Sequence, residues 1–499
     1  MALNIKEFGA KGNGTDKDTQ AIQKALDKCF SNGGGTVVVP PGTFLAGTVY
    51  IKNNTNLYLQ PGAVILGSPD LADYNPDDAF IQNFSSAREN WTGAHLIIAL
   101  ESHNVSITGE GAIDGNSKAF FGPPPPLPGK DGRKDGRPWK SSVPGSRPGP
   151  MVCFVECSDI KIEGVEIKNF PQWAVFLHGC QGGNITGVKV FAPRETPTTD
   201  GLHITSCRNI TVSNCRVDTG DDSITLTADS RRLKQNDLPC ENIVVNNCIF
   251  SSDTYGIRIL SWGVIRNCII SDCIFTNCRQ GIQLMSNYGG QLPAGSIIER
   301  FYFNNLTMNV DNTPLLISPG VANHKAPIQN LYFSNMHIIA GSGSIITGWG
   351  PGSTSDIYFR DIDIEFKDKG RALIPREEVT PKMRSNIRLV EGKTVSYLHP
   401  YGFYIFNPDN ISFRNVRLKW TGMEKDKIIP FYAENVRNMS LNSIDIDYPS
   451  LKKEDAVMQF KNSENLAIGS CLLSGHLLSK NTMLYDSAGL DITGKDFFG

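Results

Sequence analysis

Between Thr196 and Leu226 the chain reads TPTTDGLHITSCRNITVSNCRVDTGDDSITL. Asp200, Asp221 and Asp222 each stand beside a glycine or another aspartate, and Asp200 and Asp222 are 22 residues apart. Carboxylates gathered in one exposed patch repel, so one of them is expected to keep its proton near neutral pH. A protonated acid beside an ionised one is the equipment for cleaving a glycosidic bond: the acid protonates the leaving oxygen and the base activates a water. Taken alone, DTGDD reads as a turn, because Asp and Gly are ordinary turn residues. The chemistry depends on whether the fold carries Asp200 to the pair.

A repeated phrase supplies the positioning. Asn or Asp followed by an apolar, polar, apolar alternation occurs as NVSI at Asn104, DIKI at Asp159, NITG at Asn184, NITV at Asn209 and NIVV at Asn242. It returns as NLYF at Asn330, DIYF at Asp356, NISF at Asn410, NMSL at Asn438 and NLAI at Asn465. Such alternation marks a short strand with one buried face, and the leading Asn or Asp marks a turn in which its side chain bonds nearby backbone. Sandwich, propeller and solenoid all use short strands. A step of 22 residues between the acids fits one coil of a β-helix. The expectation is an all-β chain, a single-stranded right-handed parallel β-helix forming one domain over 1–499.

Aligned on their strands, successive coils read DGLHITS from Asp200, DSITLTA from Asp222, YGIRILS from Tyr255 and QGIQLMS from Gln280. Leu202, Ile224, Ile257 and Ile282 form one inward column, since side chains alternate faces along a strand. His203, Thr225, Arg258 and Gln283 form an outward one. Coils about 4.8 Å apart then gather the three aspartates on the outer face, next to His203 and Arg258. A coil earlier, WAVFLHG adds Phe176 and His178 to the same face. Rings to stack on and polar groups to read hydroxyls are the usual furniture of a saccharide site. His203 is read equally well as a sugar-hydroxyl ligand or a structural imidazole, and Tyr255 as a partner of the acids or a coil cap.

The remaining sequence sets limits. A net charge of -2 gives no reason to propose nucleic acid as a partner, and no apolar run is long enough to span a bilayer. The start, MALNIKEFGAKGNG, has no basic region followed by an apolar stretch. That leaves a cytoplasmic protein, or an exported one whose signal has been removed. Several of the 12 cysteines sit in the repeat phrase without paired C-x-x-C spacing, so they read as small buried thiols rather than metal ligands. Residues 16–30 read as a helix with Ile22, Leu26 and Cys29 on one face, started by Thr15 or Asp16 and covering the first coil. Residues 121–150 and 367–400 read as long loops between coils. The first carries Lys130, Arg133, Lys134, Arg137, Lys140 and Arg147, either as a solvated linker or as a basic flap over one end of the groove.

Over most of its length the chain resembles the polygalacturonase family of glycoside hydrolases, family 28. The likeness includes NIKEFGAKGNGTDKDTQAIQKAL, PPGTFLAGTVYIKNNTNLYLQPGAVILGS and NVSITGEGAIDG. That family carries N-T-D-G, G/Q-D-D, G-H-G and R-I-K, in that order, on a right-handed parallel β-helix. The first two appear here as TTDG, Thr198 to Gly201, and GDD, Gly220 to Asp222. The resemblance implies Asp221 as general acid, with Asp200 and Asp222 holding the hydrolytic water. It implies inversion at the anomeric carbon, a pectic polysaccharide or oligosaccharide as substrate, and no metal or organic cofactor. The later phrases depart. TYG puts Tyr255 where the family has histidine, and QLM puts Gln283 and Met285 where Arg and Lys hold a substrate carboxylate. A neutral amide and a thioether do not hold a carboxylate that way. Rhamnogalacturonan hydrolases of the family depart at the same phrases, so rhamnogalacturonan joins the expected substrates. Arg258 is either a relocated cation or a solvated surface arginine.

Two other classes fit the same residues. A uronate lyase or epimerase on this fold would use a base and a cation, with the acids holding calcium. A non-catalytic carbohydrate-binding solenoid would use the face without chemistry.

Overall fold

The computed structural model describes residues 2–123, 141–286, 295–319, 326–367, 387–390, 393–396, 401–422, 428–448, 457–473, 476–477, 483–486 and 490–491. The fold is a right-handed parallel β-helix, in which two compact units are distinguished, one running to Thr254 and one from Tyr255 onward.

In the first unit the helix spans Thr19–Ser31 and buries Ala21, Ile22, Ala25, Leu26 and Cys29. It begins later than the composition of 16–30 predicts. Asn13–Lys17 is a strand, and the N-cap is Asp18 rather than Thr15 or Asp16. The Asp18 carboxylate does not cap the helix; it accepts from the backbone N–H groups of Lys11 and Gly12 at 2.7 and 3.0 Å, closing the turn before it.

Five parallel strands lead to the acids: Ile97–Leu100, Val152–Val155, Val175–His178, Leu202–Thr205 and Ile224–Ala228. Their pairing matches the expected columns, Leu202 beside Ile224, His203 beside Thr225 and Ile204 beside Leu226. The inward members Leu202, Ile204, Ile224 and Leu226 are fully buried, each contributing about 1.5–3 kcal/mol from burial. Because the side-chain period is two, a slip of one residue would turn this column outward. Strands Ser158–Glu163, Gln181–Thr186, Arg208–Ser213 and Cys240–Asn246 stack in the same way on another wall.

The leading Asn or Asp of the repeat has a sharper task than closing a turn with its side chain. Asn104, Asp159, Asn209, Asn242, Asn330, Asp356, Asn410, Asn438 and Asn465 all adopt the left-handed conformation, with φ between 50° and 59°. That conformation costs most residues about 1–2 kcal/mol, and Asn tolerates it best after Gly. Several of their side chains donate to the equivalent residue of the coil before: Asn242 to Asn209 at 2.9 Å, Asn410 to Asp356, Asn438 to Asn410 and Asn465 to Asn438. Asn184 does not share this position: it pairs with Lys161 and Thr211 within the strand, and the corner of that coil is turned by Gly182, at φ 73°.

The second unit has longer strands, among them Val264–Cys278, Ile297–Val310, Ile328–Ala340, Thr354–Lys367 and Asp409–Thr421. Within them Phe303, Phe333, Phe359 and Phe413 stack at 4.7, 4.9 and 4.7 Å between centroids, within 11° of parallel. In-register parallel strands impose this spacing, since it is the distance between strands. The stretch 367–400 is not wholly irregular: Ile387–Val390 and Lys393–Ser396 form an antiparallel ribbon. All 12 cysteines are buried free thiols, in keeping with the core reading. Burial pushes those of Cys153 and Cys180 well above the ordinary range.

Substituting Asn242→Ala is expected to lower stability by about 1–2 kcal/mol, and Asn242→Gly by less. Thermal unfolding of the two variants beside the wild type checks the order; equal losses would show that the side-chain ladder, not the backbone conformation, matters.

Candidate active site

The acids sit where two neighbouring strands begin. Asp200 precedes Leu202–Thr205 and Asp222 precedes Ile224–Ala228. The ladder reaches into both turns: the Gly201 N–H donates to the Asp222 carbonyl at 2.9 Å, and the Asp221 N–H to the Thr199 carbonyl at 3.3 Å. Carboxylate oxygens of Asp200, Asp221 and Asp222 all lie within 4.8 Å of one another. Such a group can also take a cation.

The acids are not the exposed patch that the alignment predicts. Asp200 and Asp222 are 7% and 1% exposed, and Asp221 is intermediate. Hydroxyl and imidazole groups line them. Thr254 Oγ1 lies 2.8 Å from Asp221 Oδ1 and 2.6 Å from Asp222 Oδ1. Thr225 Oγ1 donates to Asp200 Oδ2 at 3.4 Å, and His203 Nδ1 lies 3.8 Å from the same oxygen. Ser252 and Thr219 both donate to the Asp221 carbonyl at 2.6 Å, fixing the turn from behind.

The outward column is buried as well. Phe176, His178 and His203 are covered by an aromatic group built from Phe80, Phe84, Trp91 and Trp173. Trp173 lies against the His203 ring at 3.8 Å between centroids, and Phe84 meets Phe176 edge-on at 5.5 Å. Two loops hold this cover down. Gln82 bonds Glu101 and Glu156, Lys234 pairs with Glu101, and Arg232 bonds the Asn83 carbonyl. Strand alternation cannot foresee this, because Phe80, Phe84 and Trp91 come from a segment remote in sequence; only Trp173 belongs to the aligned phrase WAVFLHG.

His203 therefore stands with the acids, but His178 does not. His178 lies at the other end of its strand, its Nε2 bonded to the Asp229 carbonyl at 2.9 Å. Burial pulls its pKa down, against the opposing effect of that hydrogen bond. Tyr255, Arg258 and Gln283 belong to the second unit. There Arg258 Nε donates to Gln283 Oε1 at 2.8 Å, and its guanidinium lies 5.4 Å from the Tyr255 ring centroid. Gln283 is buried and Arg258 half-buried, so the amide anchors the arginine.

Of the six basic residues in 121–150, Lys130, Arg133, Lys134, Arg137 and Lys140 lie outside the described residues. Arg147 is described, and it is neither a solvated linker residue nor a flap. It is 1% exposed, donating to the carbonyls of Pro171 and Glu89 and to the Thr198 hydroxyl. Burial lowers its pKa to about 10, opposed by the negative charges of Glu89, Asp200 and Asp221. A buried cation thus acts on two of the acids and ties down the loop that carries Asp200. Thr254 and Ser252 beside the acids are residues that spacing did not single out; Thr225 stood in the outward column and Trp173 opened WAVFLHG without a role assigned to either.

The comparisons specify the class of protein to which this parallel β-helix, with its three-carboxylate cluster, belongs. The model for glycosyl hydrolases family 28 matches residues 79–348, and a model described as rhamnogalacturonase A/epimerase, pectate lyase-like, matches 2–112. The first match covers more than half of the 499 residues, and the chain belongs to glycosyl hydrolases family 28. A polygalacturonase of Malus domestica is 26% identical over 69% of this chain and 70% of its own length. An exo-poly-alpha-D-galacturonosidase of Dickeya chrysanthemi is 30% identical over 50% of this chain and 45% of its own. The chain spans between 45% and 70% of the length of these two curated relatives. The solved family 28 exopolygalacturonase of Yersinia enterocolitica shares the fold, with a TM-score of 0.60 and 18% identity over 93% of this chain and 78% of that one. Among the described residues no helix is long and apolar enough to cross a membrane.

Replacing Arg147 by methionine leaves two carbonyls and a hydroxyl without their donor. Charged-group hydrogen bonds contribute about 1.5–3 kcal/mol each, so the variant is expected to lose at least about 2 kcal/mol. Denaturant titration measures it; an unchanged midpoint would show the guanidinium is not a keystone of the Asp200 loop.

Proposed function

We propose that this chain is an inverting glycoside hydrolase that cleaves α-glycosidic bonds in pectic polysaccharides or oligosaccharides, with galacturonide and rhamnogalacturonan chains as substrates. The observation that carries the reading is the convergence of Asp200, Asp221 and Asp222 within 4.8 Å on a family 28 chain. Relatives named for polygalacturonase and exo-galacturonosidase activity support the substrate class. Asp221, the least buried of the three, protonates the leaving oxygen. Asp200 and Asp222 hold and deprotonate the water. His203, beside Asp200, and Trp173, packed on the His203 ring, offer an imidazole and an indole to the sugar. In the second unit, Arg258 held by Gln283 is the cation proposed for a substrate carboxylate, with Tyr255 beneath it. No cofactor enters these steps.

Asp221→Asn is expected to lower turnover on the cleaved substrate by at least about 100-fold, with little change in binding. Reducing-end release from a panel of galacturonans and rhamnogalacturonans measures it. Full activity in the variant would remove Asp221 from the chemistry. An unsaturated, ultraviolet-absorbing product would instead identify a lyase.

Stereochemistry is a separate test. Inverting pairs usually stand about 6.5–9.5 Å apart and retaining pairs about 5–5.5 Å, so the oxygens here are closer than the pairwise rule for inversion. Three carboxylates change that geometry: two share one water, and the acid approaches from beside them. The first-formed product, followed by proton NMR, is expected to carry the inverted anomeric configuration. Retention would assign one of the aspartates as a nucleophile.

A further inference from the structure

Thr254 occupies the first position of TYG, where the family phrase has glycine, and its hydroxyl contacts two acids at once. Oγ1 is 2.8 Å from Asp221 Oδ1 and 2.6 Å from Asp222 Oδ1. A threonine hydroxyl has one hydrogen to donate and lone pairs to accept with. Were both carboxylates ionised, that hydrogen would serve one contact. The other would press a hydroxyl lone pair against a charged oxygen at a hydrogen-bonding distance. With one carboxyl protonated, both contacts become hydrogen bonds: the acid O–H donates to Oγ1, and the Thr254 O–H donates to the remaining carboxylate. Both distances match such a chain.

The hydroxyl is held in place from its own backbone. The Thr254 N–H donates to Ser252 Oγ at 2.9 Å, and Ser252 Oγ donates to the Asp221 carbonyl at 2.6 Å. Other charged and titratable groups act on the pair. Asp200 adds a negative charge within 4.8 Å, favouring one retained proton. The Arg147 charge opposes it, acting on Asp200 and Asp221, and His203 Nδ1 lies 3.8 Å from Asp200 Oδ2.

We infer that Thr254 holds one proton shared between Asp221 and Asp222 and passes it between them after each cleavage. This rests on the hydrolase reading for its kinetic consequence, though not for the proton itself. During cleavage the Asp221 proton goes to the glycosidic oxygen as the bond to the anomeric carbon breaks. Water adds to that carbon and gives its proton to Asp222. Asp222 then donates to Thr254 Oγ1 while the Thr254 hydrogen moves to Asp221. One proton has crossed, the hydroxyl is unchanged, and one water has been added across the bond. Thr254 is a positioning and relay residue, acting through the two acids it contacts.

The intact chain carrying Thr254→Val, which keeps the shape and removes the hydroxyl, tests this beside Thr254→Ser, which keeps the hydroxyl. The valine variant is expected to lose about 10–100-fold in kcat, with KM within about threefold and the basic limb of its pH profile moved to lower pH. The serine variant is expected to stay within about threefold of wild type, with an unmoved profile. Infrared spectroscopy of the resting wild type at neutral pH is expected to show a protonated carboxylic acid, absent in Asp221→Asn. A valine variant matching wild type in kcat and pH profile, a serine variant as impaired as valine, or no protonated carboxyl in the wild type would each overturn the inference. If the wild type cleaves no pectic substrate, the hydrolase reading fails while the infrared result still decides the shared proton. If valine prevents folding, as circular dichroism would show, serine and the infrared spectrum decide.

Discussion

Backbone hydrogen bonds between neighbouring coils fix everything else in the first unit. The Ala174 N–H reaches the Asp200 carbonyl, and the Gly201 N–H reaches the Asp222 carbonyl, each at 2.9 Å. These bonds belong to the same ladder that pairs Leu202 with Ile224. Carboxylates that would otherwise repel are therefore held together by strand pairing, and the buried Leu and Ile columns keep that pairing from slipping. The cost of crowding three acids is spread over the core of several coils. Arg147 and the hydroxyls of Thr225 and Thr254 offset the remainder locally.

Much of this was legible in the order of residues. The alternation after each Asn or Asp marked the strands, and the 22-residue step placed Asp200 beside Asp222, because a coil's length and its period of two are properties of the chain itself. The inward columns followed for the same reason. The outer face did not. Phe84 meets Phe176, and Trp91 meets Phe84 and Trp173, only through loops held by Gln82, Glu101, Glu156 and Lys234, and no local pattern encodes those contacts. Arg147 was visible as one cation in a basic stretch, but its burial depends on carbonyls of Glu89 and Pro171, far away in sequence. Thr254 stood next to Tyr255 in a phrase read for its missing histidine; its value lies in a distance to two acids, which the phrase cannot express.

The asparagine corners show a related division of labour. Alternation predicted a turn but not its hand. Left-handed backbone is needed wherever the chain bends sharply between walls, and Asn supplies it while bonding its counterpart one coil away. Gly182 does the first job without the second. In the second unit the stacked Phe303, Phe333, Phe359 and Phe413 play the corresponding part inside the core, each ring meeting its neighbour at the spacing of the strands.

Because each strand is registered by the coils before and after it, the architecture treats different lengths of inserted chain very unequally. Added residues at a corner leave every strand facing the same way. One residue added inside Leu202–Thr205 would exchange core and surface along that strand and pull Asp200 off its partner. Such a scaffold accommodates change in its loops, and here the segments bearing Phe84, Arg147 and Arg232 cover the wall that carries the three aspartates.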